Sequence, residues 1–180
     1  MHERRFSGDI ARLRSPDRVA KLQVEVVVEL CLDGEHFDQL IDVGTGSGLF
    51  AELFMKHNLA VTGVDANPGM LTAAKSYVPN GIFLQATAED LPFAKGSFDL
   101  AFYGLVLHEA DDPLWVLQCA HRVSRKRVCV LEWPYREGQM GPPLADRISP
   151  TRMKQLIYLA GFSNWQCTNL LNTDLYRLDI

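Results

Sequence analysis

The 180-residue sequence lacks an excess of one charge, a long apolar run and a cluster of cysteines. The formal net charge is -4, and this acidic balance argues against nucleic acid as a partner because phosphate binding normally requires a basic face. No apolar stretch approaches the length that spans a bilayer, and the first residues lack the apolar run of a signal peptide. We therefore expect a cytoplasmic protein without a membrane partner.

The cysteines are scattered along the chain without a Cys-x-x-Cys pair. Their spacing matches neither a zinc site nor a disulfide framework, so no metal site is predicted. We expect Cys31, Cys119, Cys129 and Cys167 to be buried free thiols. A chain of this length fits one domain with a single sizeable core.

Glycine, in contrast, is concentrated at one point, in the pattern Gly44-x-Gly46-x-Gly48. An apolar run at residues 40–43 precedes these glycines and a stretch with helical spacing at residues 49–57 follows them, which predicts a strand, a tight turn and a helix. Glycine permits positive φ and close approach of a ligand to the main chain. The amides that open the helix have no partner inside it and offer donors to a bound group. The segment is therefore typical of a nucleotide-binding turn.

A second predicted strand, residues 60–64, ends at Asp65. At this position a carboxylate can accept hydrogen bonds from both hydroxyls of a ribose. Dinucleotide enzymes usually carry the spacing G-x-G-x-x-G, in which the third glycine is displaced by one residue relative to this chain. A nicotinamide-dependent oxidoreductase is therefore kept only as an alternative interpretation.

Strand-like runs and helical patterns alternate from residue 40 onward, which predicts an α/β fold. The predicted strands cover residues 40–43, 60–64, 82–85, 100–103, 128–132, 164–171 and 175–179, and the predicted helices cover residues 49–57, 68–77, 113–123 and 151–160. Such alternation indicates a doubly wound parallel sheet with ligands at the carboxyl ends of its strands. Upstream, Ser15 and Pro16 predict the start of one helix that reaches Leu30, and residues 1–14 are interpreted as a solvated terminus.

Several motifs, in the same order, resemble the class I S-adenosylmethionine-dependent methyltransferases, and most of all the branch that includes quinone-biosynthesis methyltransferases. The motifs are Asp-Val-Gly-Thr-Gly-Ser-Gly at residues 42–48, Val-Asp-Ala-Asn-Pro-Gly-Met-Leu at 64–71, Ala-Glu-Asp-Leu-Pro-Phe at 88–93, Ser-Phe-Asp at 97–99 and Leu-His-Glu at 107–109. The resemblance implies a Rossmann-like, doubly wound, mostly parallel seven-stranded sheet with a C-terminal antiparallel strand and helices on both faces. It also implies S-adenosyl-L-methionine as the cofactor.

The resemblance divides the single domain into three parts and assigns the cofactor site to the middle one. Residues 1–38 form an N-terminal segment and helix, residues 39–133 the cofactor-binding core, and residues 134–180 a loop, a helix and a strand pair. In the resembling family the segment that corresponds to residues 1–14 often folds across the mouth of the cofactor site, which is the alternative to a solvated terminus. Asp42 would orient the glycine turn and approach the cofactor's ammonium, and Thr87 would meet the adenine amine where the family frequently has aspartate. The full predicted set is Asp42, Gly44, Thr45, Gly46, Gly48, Asp65, Ala66, Met70, Thr87, Ala88, Glu89 and Tyr103.

Tyr103 and His108 are the predicted catalytic residues, because Tyr103 ends the fourth strand, His108 follows it, and both would face the methyl group and the acceptor. His108 can take a proton from an acceptor, with a structural role as the alternative. The acceptor pocket is predicted from residues 4–6, 103–109 and 133–147. Within the last range, Arg136 and Arg147 are interpreted as exposed charges or carboxylate partners, with anion binding as the alternative.

The predicted reaction is methyl transfer to a small-molecule acceptor by in-line displacement, which requires little covalent chemistry from the protein. A cofactor-binding protein without transferase activity is a second alternative, because the chain has no sizeable insertion to cover an acceptor. Closure by a second subunit, as in a homodimer, stays open. The residues after the fourth strand lack the Asp/Asn-Pro-Pro-aromatic signature of amino methylation, and quinone precursors, small carboxylic acids and secondary metabolites stay open as acceptors.

Overall fold

The computed structural model describes residues 10–180, which form one seven-stranded sheet flanked by helices. The predicted acceptor contacts at residues 4–6 lie outside the described residues. The strands are β1 (Gln39–Val43), β2 (Ala60–Asp65), β3 (Ile82–Gln85), β4 (Phe98–Gly104), β5 (Ser124–Glu132), β6 (Asn164–Asn169) and β7 (Asp174–Asp179). The helices are α1 (Ile10–Leu13), α2 (Pro16–Leu22), α3 (Val24–Leu32), α4 (Leu49–Lys56), α5 (Pro68–Tyr77), α6 (Pro113–Val123) and α7 (Pro150–Leu159), with short 3-10 turns at Leu107–Glu109 and Leu144–Asp146.

The strand order is β3-β2-β1-β4-β5-β7-β6. β1 to β5 pair in parallel, while β7 runs antiparallel to both of its neighbours. The chain moves outward in one direction from β1 to β3 and in the other from β4 through β5 to the edge strand β6, with β7 inserted between β5 and β6. The order therefore reverses between β1 and β4. This confirms the predicted doubly wound sheet with its antiparallel C-terminal strand, and ligands bind such sheets at the carboxyl ends beside the reversal.

Two apolar cores cover the two faces of the sheet. Successive residues of β4 alternate between them: Leu100 and Phe102 belong to the core under α3, α4 and α5, and Ala101 and Tyr103 to the core under α6 and α7. Strands buried on both faces are the reason that the sequence shows continuous apolar runs instead of an alternating pattern. The helices therefore lie on both faces, as predicted.

The helix predicted from Pro16 to Leu30 is wrong in one respect, because it is broken at Gln23. Ser15 caps its start as predicted, but Gln23 adopts a left-handed conformation with φ 51° and separates α2 from α3. Leu22 and Val24 are 2% and 3% exposed. In an unbroken helix these two side chains would point about 200° apart, so the break lets both face the core.

Three of the four thiols are buried as expected, at Cys31, Cys119 and Cys129, whereas Cys167 on β6 is exposed. Within residues 10–180, no helix is both long enough and apolar enough to span a bilayer.

Candidate functional site

The glycine turn connects β1 to α4 at the point where the strand order reverses. Gly44 has a φ of 68°, and its amide donates to the carbonyl of Val64 at 2.8 Å, which attaches the turn to the end of β2. A Cβ at Gly44 would lie only 2.2 Å from Cγ2 of Val106 in the segment after β4. At Gly46 the nearest such atom is Cδ1 of Leu13 at 3.6 Å. Glycine is thus required at position 44 for packing, whereas Gly46 leaves more space for a ligand to approach the main chain.

Asp65, at the end of β2, holds the glycine turn through its carboxylate. One oxygen, Oδ2, accepts from the amide of Gly46 at 2.9 Å, and Oδ1 accepts from the amide of Asn67 at 2.9 Å. Each carboxylate oxygen can accept a second hydrogen bond. The same group can therefore order the turn and accept from the hydroxyls of a ribose.

Asp42 and Thr45 form a buried pair beneath the turn. The hydroxyl of Thr45 donates to Oδ2 of Asp42 at 2.6 Å, and Asp42 is only 2% exposed. Burial, together with the nearby charge of Asp65, raises the pKa of Asp42 to about 7 although the Thr45 hydroxyl and a backbone hydrogen bond oppose this change. A positive group of a ligand near this carboxylate would be stabilised by it.

Of the residues before α2, Ala11 and Arg12 are exposed, as expected for a solvated terminus, whereas Arg14 is half-buried against the glycine turn. Nη1 of Arg14 donates to the carbonyl of Ser47 at 2.9 Å, and the guanidinium pairs with Glu52 on α4. It also lies 4.3 Å above the centre of the Tyr77 ring. The structure thus brings this segment against the predicted cofactor site.

The segment after β3 is held by hydrogen bonds of its own. Oγ1 of Thr87 accepts from the amide of Asp90 at 3.2 Å. The Glu89 carboxylate accepts from the amide of Asp111 at 3.3 Å, and the Glu89 carbonyl accepts from the indole of Trp115 at 2.9 Å. These bonds connect the predicted adenine segment to the start of α6.

The other predicted adenine contacts differ in accessibility. Met70 on α5 is buried at 4% exposure. The carbonyl of Ala66 accepts from the side-chain amide of Gln85 at 3.1 Å, and Ala88 is half-buried against the core under α6. Two hydrogen-bonded pairs, Thr45 with Asp42 and Gly46 with Asp65, therefore form the centre of the predicted site. The adenine contacts lie on separate segments.

Tyr103 is placed apart from the other predicted site residues. Its side chain is fully buried in the core under α6, and its hydroxyl has no hydrogen-bond partner among residues 10–180. Burial raises the pKa of Tyr103 well above its ordinary value. In this arrangement the hydroxyl is not offered to a ligand.

His108, in the 3-10 turn after β4, forms a buried pair with Glu132 at the end of β5. Nδ1 of His108 lies 2.8 Å from Oε2 and 3.1 Å from Oε1 of Glu132. Burial lowers the pKa of His108, but the hydrogen bond and charge of Glu132, together with the charge of Glu109, outweigh it, and the net pKa is raised despite Arg147. The imidazole is thus oriented by one carboxylate.

Glu132 is the functional candidate that the sequence analysis does not single out. It is 2% exposed and also accepts from the amides of His108 at 3.0 Å and Trp133 at 3.1 Å. Its sequence signal is an acidic residue that ends an apolar strand, which is the same signal that identifies Asp65. Without a nearby glycine motif, that signal predicts only the start of a loop.

A pocket of about 300 Å³ opens beside His108. It lies between the turn after β4, the loop after β5 and the first residues of α7. Its lining includes His108, Ala110, Pro113, Tyr135, Ile148 and Arg152. Ligand pockets commonly begin at about this volume. Two of the three segments predicted for the acceptor, 103–109 and 133–147, thus contribute to one cavity.

Arg147 does not have the predicted role of an exposed charge or a carboxylate partner. It is 8% exposed and donates to four backbone carbonyls. These carbonyls belong to Pro134, Arg136, Met140 and Pro142, at 2.6 to 3.0 Å. The loop that lines the pocket is therefore folded around this guanidinium. Arg136 is exposed and donates to the carbonyl of Leu171 at 2.9 Å.

Comparisons with known proteins match this chain to methyltransferases. A family model described as a methyltransferase domain matches residues 41–130. An uncharacterized methyltransferase of Synechocystis sp. is 30% identical over 145 residues, which make up 78% of this chain and 63% of that protein. A demethylmenaquinone methyltransferase of Chlorobaculum tepidum is 34% identical over 99 residues, covering 54% of this chain and 41% of that protein. The chain therefore spans about half the length of these curated relatives.

The fold is shared with a solved structure over nearly the whole of both chains. A SAM-dependent methyltransferase from Aquifex aeolicus superposes with a TM-score of 0.85 over 95% of this chain and 96% of that chain, at 22% identity. The family match favours S-adenosylmethionine over the nicotinamide alternative and confirms the family that the motifs predict. By fold, by the order of its motifs and by this match, the chain belongs to the class I S-adenosylmethionine-dependent methyltransferases.

Proposed function

We propose that this chain transfers the methyl group of S-adenosylmethionine to a small-molecule acceptor by in-line displacement. The observation that carries the proposal is the hydrogen bond from the amide of Gly46 to Asp65. It fixes the predicted ribose carboxylate against the predicted nucleotide turn, at the edge of the sheet where such ligands bind. The pocket beside His108 lies at the same edge, after β4 and β5.

The residues present fit the cofactor in charge and in hydrogen-bonding capacity. When bound, S-adenosylmethionine supplies a methyl group that a positively charged sulfur makes electrophilic. Asp65 retains lone pairs for the ribose hydroxyls, and the buried carboxyl of Asp42 can attract the cofactor's ammonium. The chain's own work is to position the acceptor behind the methyl group, exclude water and accept a proton where the acceptor has one. We assign the proton step to His108 and none to Tyr103, whose hydroxyl is buried.

The first experiment measures cofactor binding by isothermal titration calorimetry. The full chain is titrated with S-adenosylmethionine, with S-adenosylhomocysteine and with NAD. We expect both sulfur compounds to bind and NAD to show no binding. Asp65→Ala should weaken the binding of the two sulfur compounds by roughly 100-fold or more, because a charge-assisted pair of hydrogen bonds is lost. Asp17→Ala, an exposed carboxylate paired with Lys21 on α2, is the matched control and should bind normally.

The thermal unfolding of each variant is recorded beside the calorimetry, since Asp65 also supports the turn. Unchanged binding in a folded Asp65→Ala protein would contradict the assignment of the ribose site. Binding of NAD in place of the sulfur compounds would favour the oxidoreductase. Cofactor binding without transfer to any acceptor would favour the binding protein without activity. Once an acceptor is found, S-adenosylmethionine with a chiral methyl group tests the in-line displacement. We expect the configuration of the methyl carbon to be inverted.

A further inference from the structure

Arg18 on α2 is a half-buried arginine whose guanidinium has no acceptor among residues 10–180. The other arginines of these residues that are not exposed all donate to carboxylates or backbone carbonyls, and they are Arg14, Arg122, Arg127, Arg147 and Arg177. A charge that leaves water without a partner is unfavourable, so buried arginines are normally paired. The N–H donors of Arg18 are therefore available to a bound group.

The electrostatic surroundings of Arg18 favour an anion. Its Cζ atom lies 6.0 Å from the centre of the Trp133 ring, and Trp133 is only 6% exposed. Burial lowers the pKa of Arg18, and the positive charge of Arg12 lowers it further, although a guanidinium stays protonated in proteins. The carboxylate on the same helix, Asp17, pairs with Lys21 instead. A bound anion would offset both unfavourable effects on Arg18.

Arg18 lies at the edge of the sheet that carries the predicted site. Four residues before it, Arg14 donates to the carbonyl of Ser47 in the glycine turn. Trp133 directly follows β5, and its amide donates to the carboxylate of Glu132. The segment at residues 14–18 thus extends from the glycine turn to the loop after β5.

The strand order indicates that Arg18 faces the acceptor side of this edge and not the cofactor side. Asp42 and Asp65, the predicted cofactor carboxylates, lie near the ends of β1 and β2. Neighbouring strands are about 4.8 Å apart and β4 separates β1 from β5, so Trp133 follows a strand that lies about 10 Å from β1. His108 and the pocket beside it lie after β4 and β5. Arg18, over Trp133, is therefore on the side where an acceptor would lie.

We propose that Arg18 binds a carboxylate of the methyl acceptor and thereby orients the acceptor for transfer. This inference rests on the proposed function. A guanidinium and a carboxylate are both planar and can form two parallel hydrogen bonds, and such a pair is stronger where the surroundings are partly shielded from water. A single half-buried guanidinium matches the single charge of a carboxylate, whereas a phosphate group carries about two charges. Among the acceptor classes that the sequence leaves open, Arg18 favours the small carboxylic acids.

Nuclear magnetic resonance of the arginine Nε–H groups tests this assignment directly. The full chain, saturated with S-adenosylhomocysteine, is titrated at constant ionic strength with benzoate and with benzamide, which has a similar shape without the charge. We expect benzoate to shift the Arg18 signal saturably and to bind about 10-fold or more tightly than benzamide. The signal of Arg136, an exposed arginine of the loop after β5, should not move. Inorganic phosphate should bind more weakly than benzoate.

Two substitutions separate the charge of Arg18 from its planar geometry. Arg18→Gln removes both and should abolish binding of benzoate, whereas Arg18→Lys keeps the charge alone and should bind benzoate more weakly than the wild type. The loss of one signal in Arg18→Lys also identifies the Arg18 resonance. Lys21→Gln, which removes a positive charge from the same helix, should bind benzoate as the wild type does.

The same variants distinguish a binding role from a structural one. Because Arg18 is a half-buried charge without an acceptor in residues 10–180, Arg18→Gln should leave the midpoint of urea denaturation unchanged or raise it. Calorimetry should show that S-adenosylhomocysteine binds Arg18→Gln and Lys21→Gln as tightly as it binds the wild type.

Several results would overturn the assignment. These are equal binding of benzoate and benzamide, tighter binding of phosphate than of benzoate, or a benzoate response that persists in Arg18→Gln. Weaker binding of S-adenosylhomocysteine to a folded Arg18→Gln protein would also overturn it, because Arg18 would then hold the carboxylate of the cofactor. If Arg18→Gln fails to fold, the comparison of benzoate with benzamide in the wild-type chain still decides.

The wild-type titrations also separate this inference from the proposed function. Normal binding of S-adenosylhomocysteine without a benzoate response rejects only the acceptor assignment. Absence of S-adenosylhomocysteine binding in the wild-type chain rejects the proposed function itself.

Discussion

Gly44 is the residue at which the turn, the strand and the segment after β4 approach most closely. Gly44→Ala adds both left-handed strain, at a φ of 68°, and a contact of 2.2 Å with Val106. We expect it to lower the free energy of unfolding by roughly 2–4 kcal/mol, from strain and overpacking together. The measurement is urea denaturation followed by circular dichroism.

Gly34→Ala is the matched control for this prediction. Gly34 has a φ of 78° but nothing within 4 Å of an added Cβ, so this variant introduces the strain alone. It should cost about 1 kcal/mol. Gly44→Ala combined with Val106→Ala removes the methyl groups that cause the clash and should recover part of the loss. Equal destabilisation by Gly44→Ala and Gly34→Ala would show that packing against Val106 does not contribute.

At the scale of elements, the loop between β5 and α7 depends on one side chain. The Arg147 guanidinium binds four carbonyls of the loop, and a lysine ammonium cannot reach this set with the same planar geometry. We expect Arg147→Lys to lose several of these hydrogen bonds from half-buried carbonyls and to cost about 1–3 kcal/mol. Hydrogen exchange should accelerate at residues 134–147, and cofactor affinity should stay unchanged.

Arg136→Lys provides the comparison, because Arg136 belongs to the same loop but its guanidinium donates only to the carbonyl of Leu171 among residues 10–180. It should change stability by less than about 0.5 kcal/mol. Equal hydrogen-exchange rates for the loop amides in Arg147→Lys and Arg136→Lys would show that the Arg147 contacts do not order the loop.

The elements that the sequence predicts well are those with a local signal. The strand–turn–helix at the glycine motif, α5 and α6 occur where the apolar spacing and the caps indicate. β5 begins at Ser124, four residues before the predicted start, because charged residues fill its first positions. Arg125 pairs with Asp99, and Arg127 with Asp179, so these positions are satisfied by partners distant in the sequence and show no apolar pattern.

The site shows the same division between local and long-range information. Asp65 is predictable because its glycine partner lies 19 residues away within one βαβ unit. Glu132 lies 24 residues from His108, on a separate strand, and only the parallel pairing of β4 and β5 brings them together. The prediction that Arg147 is an exposed charge or a carboxylate partner is wrong for a related reason. Its partners are backbone carbonyls, and every residue type has one, so no sequence pattern indicates them. The break at Gln23 likewise follows from the need to bury both Leu22 and Val24.

At the scale of the whole molecule, the reversal of strand order brings the polar groups to one edge. Asp65 and Glu132 are the last residues of β2 and β5, and Asp42 is the next-to-last residue of β1. His108 lies in the turn after β4. All four residues are thus near the carboxyl ends of parallel strands. The two cores beneath this edge are apolar, which keeps the carboxyl of Asp42 out of water. The burial that places Asp42 at the site therefore also affects the free energy of unfolding.

This effect should be visible in the pH dependence of unfolding. The pKa of Asp42 is about 7 in the folded chain, against an ordinary value of 3.8. A raised folded pKa means that the contribution of Asp42 to stability is fully present below the ordinary pKa and is lost as pH rises toward 7. Asp42→Asn carries no charge and keeps an oxygen for the Thr45 hydroxyl. The variant should therefore gain stability relative to the wild type as pH rises from about 4 to about 7. Above pH 7 the difference in free energy of unfolding between the two proteins should be constant.

The measurement is urea denaturation of both proteins across that range, with Asp17→Asn as the exposed control. The contribution of His108, whose pKa is also raised, is common to both proteins and cancels in the difference. The gain should reach a few kcal/mol, because a tenfold change in the acid dissociation constant corresponds to about 1.4 kcal/mol. A difference that does not vary with pH would mean that Asp42 is ionised in the folded chain at every pH tested. The burial of Asp42 would then not raise its pKa, although an ionised carboxylate could still attract the cofactor's ammonium.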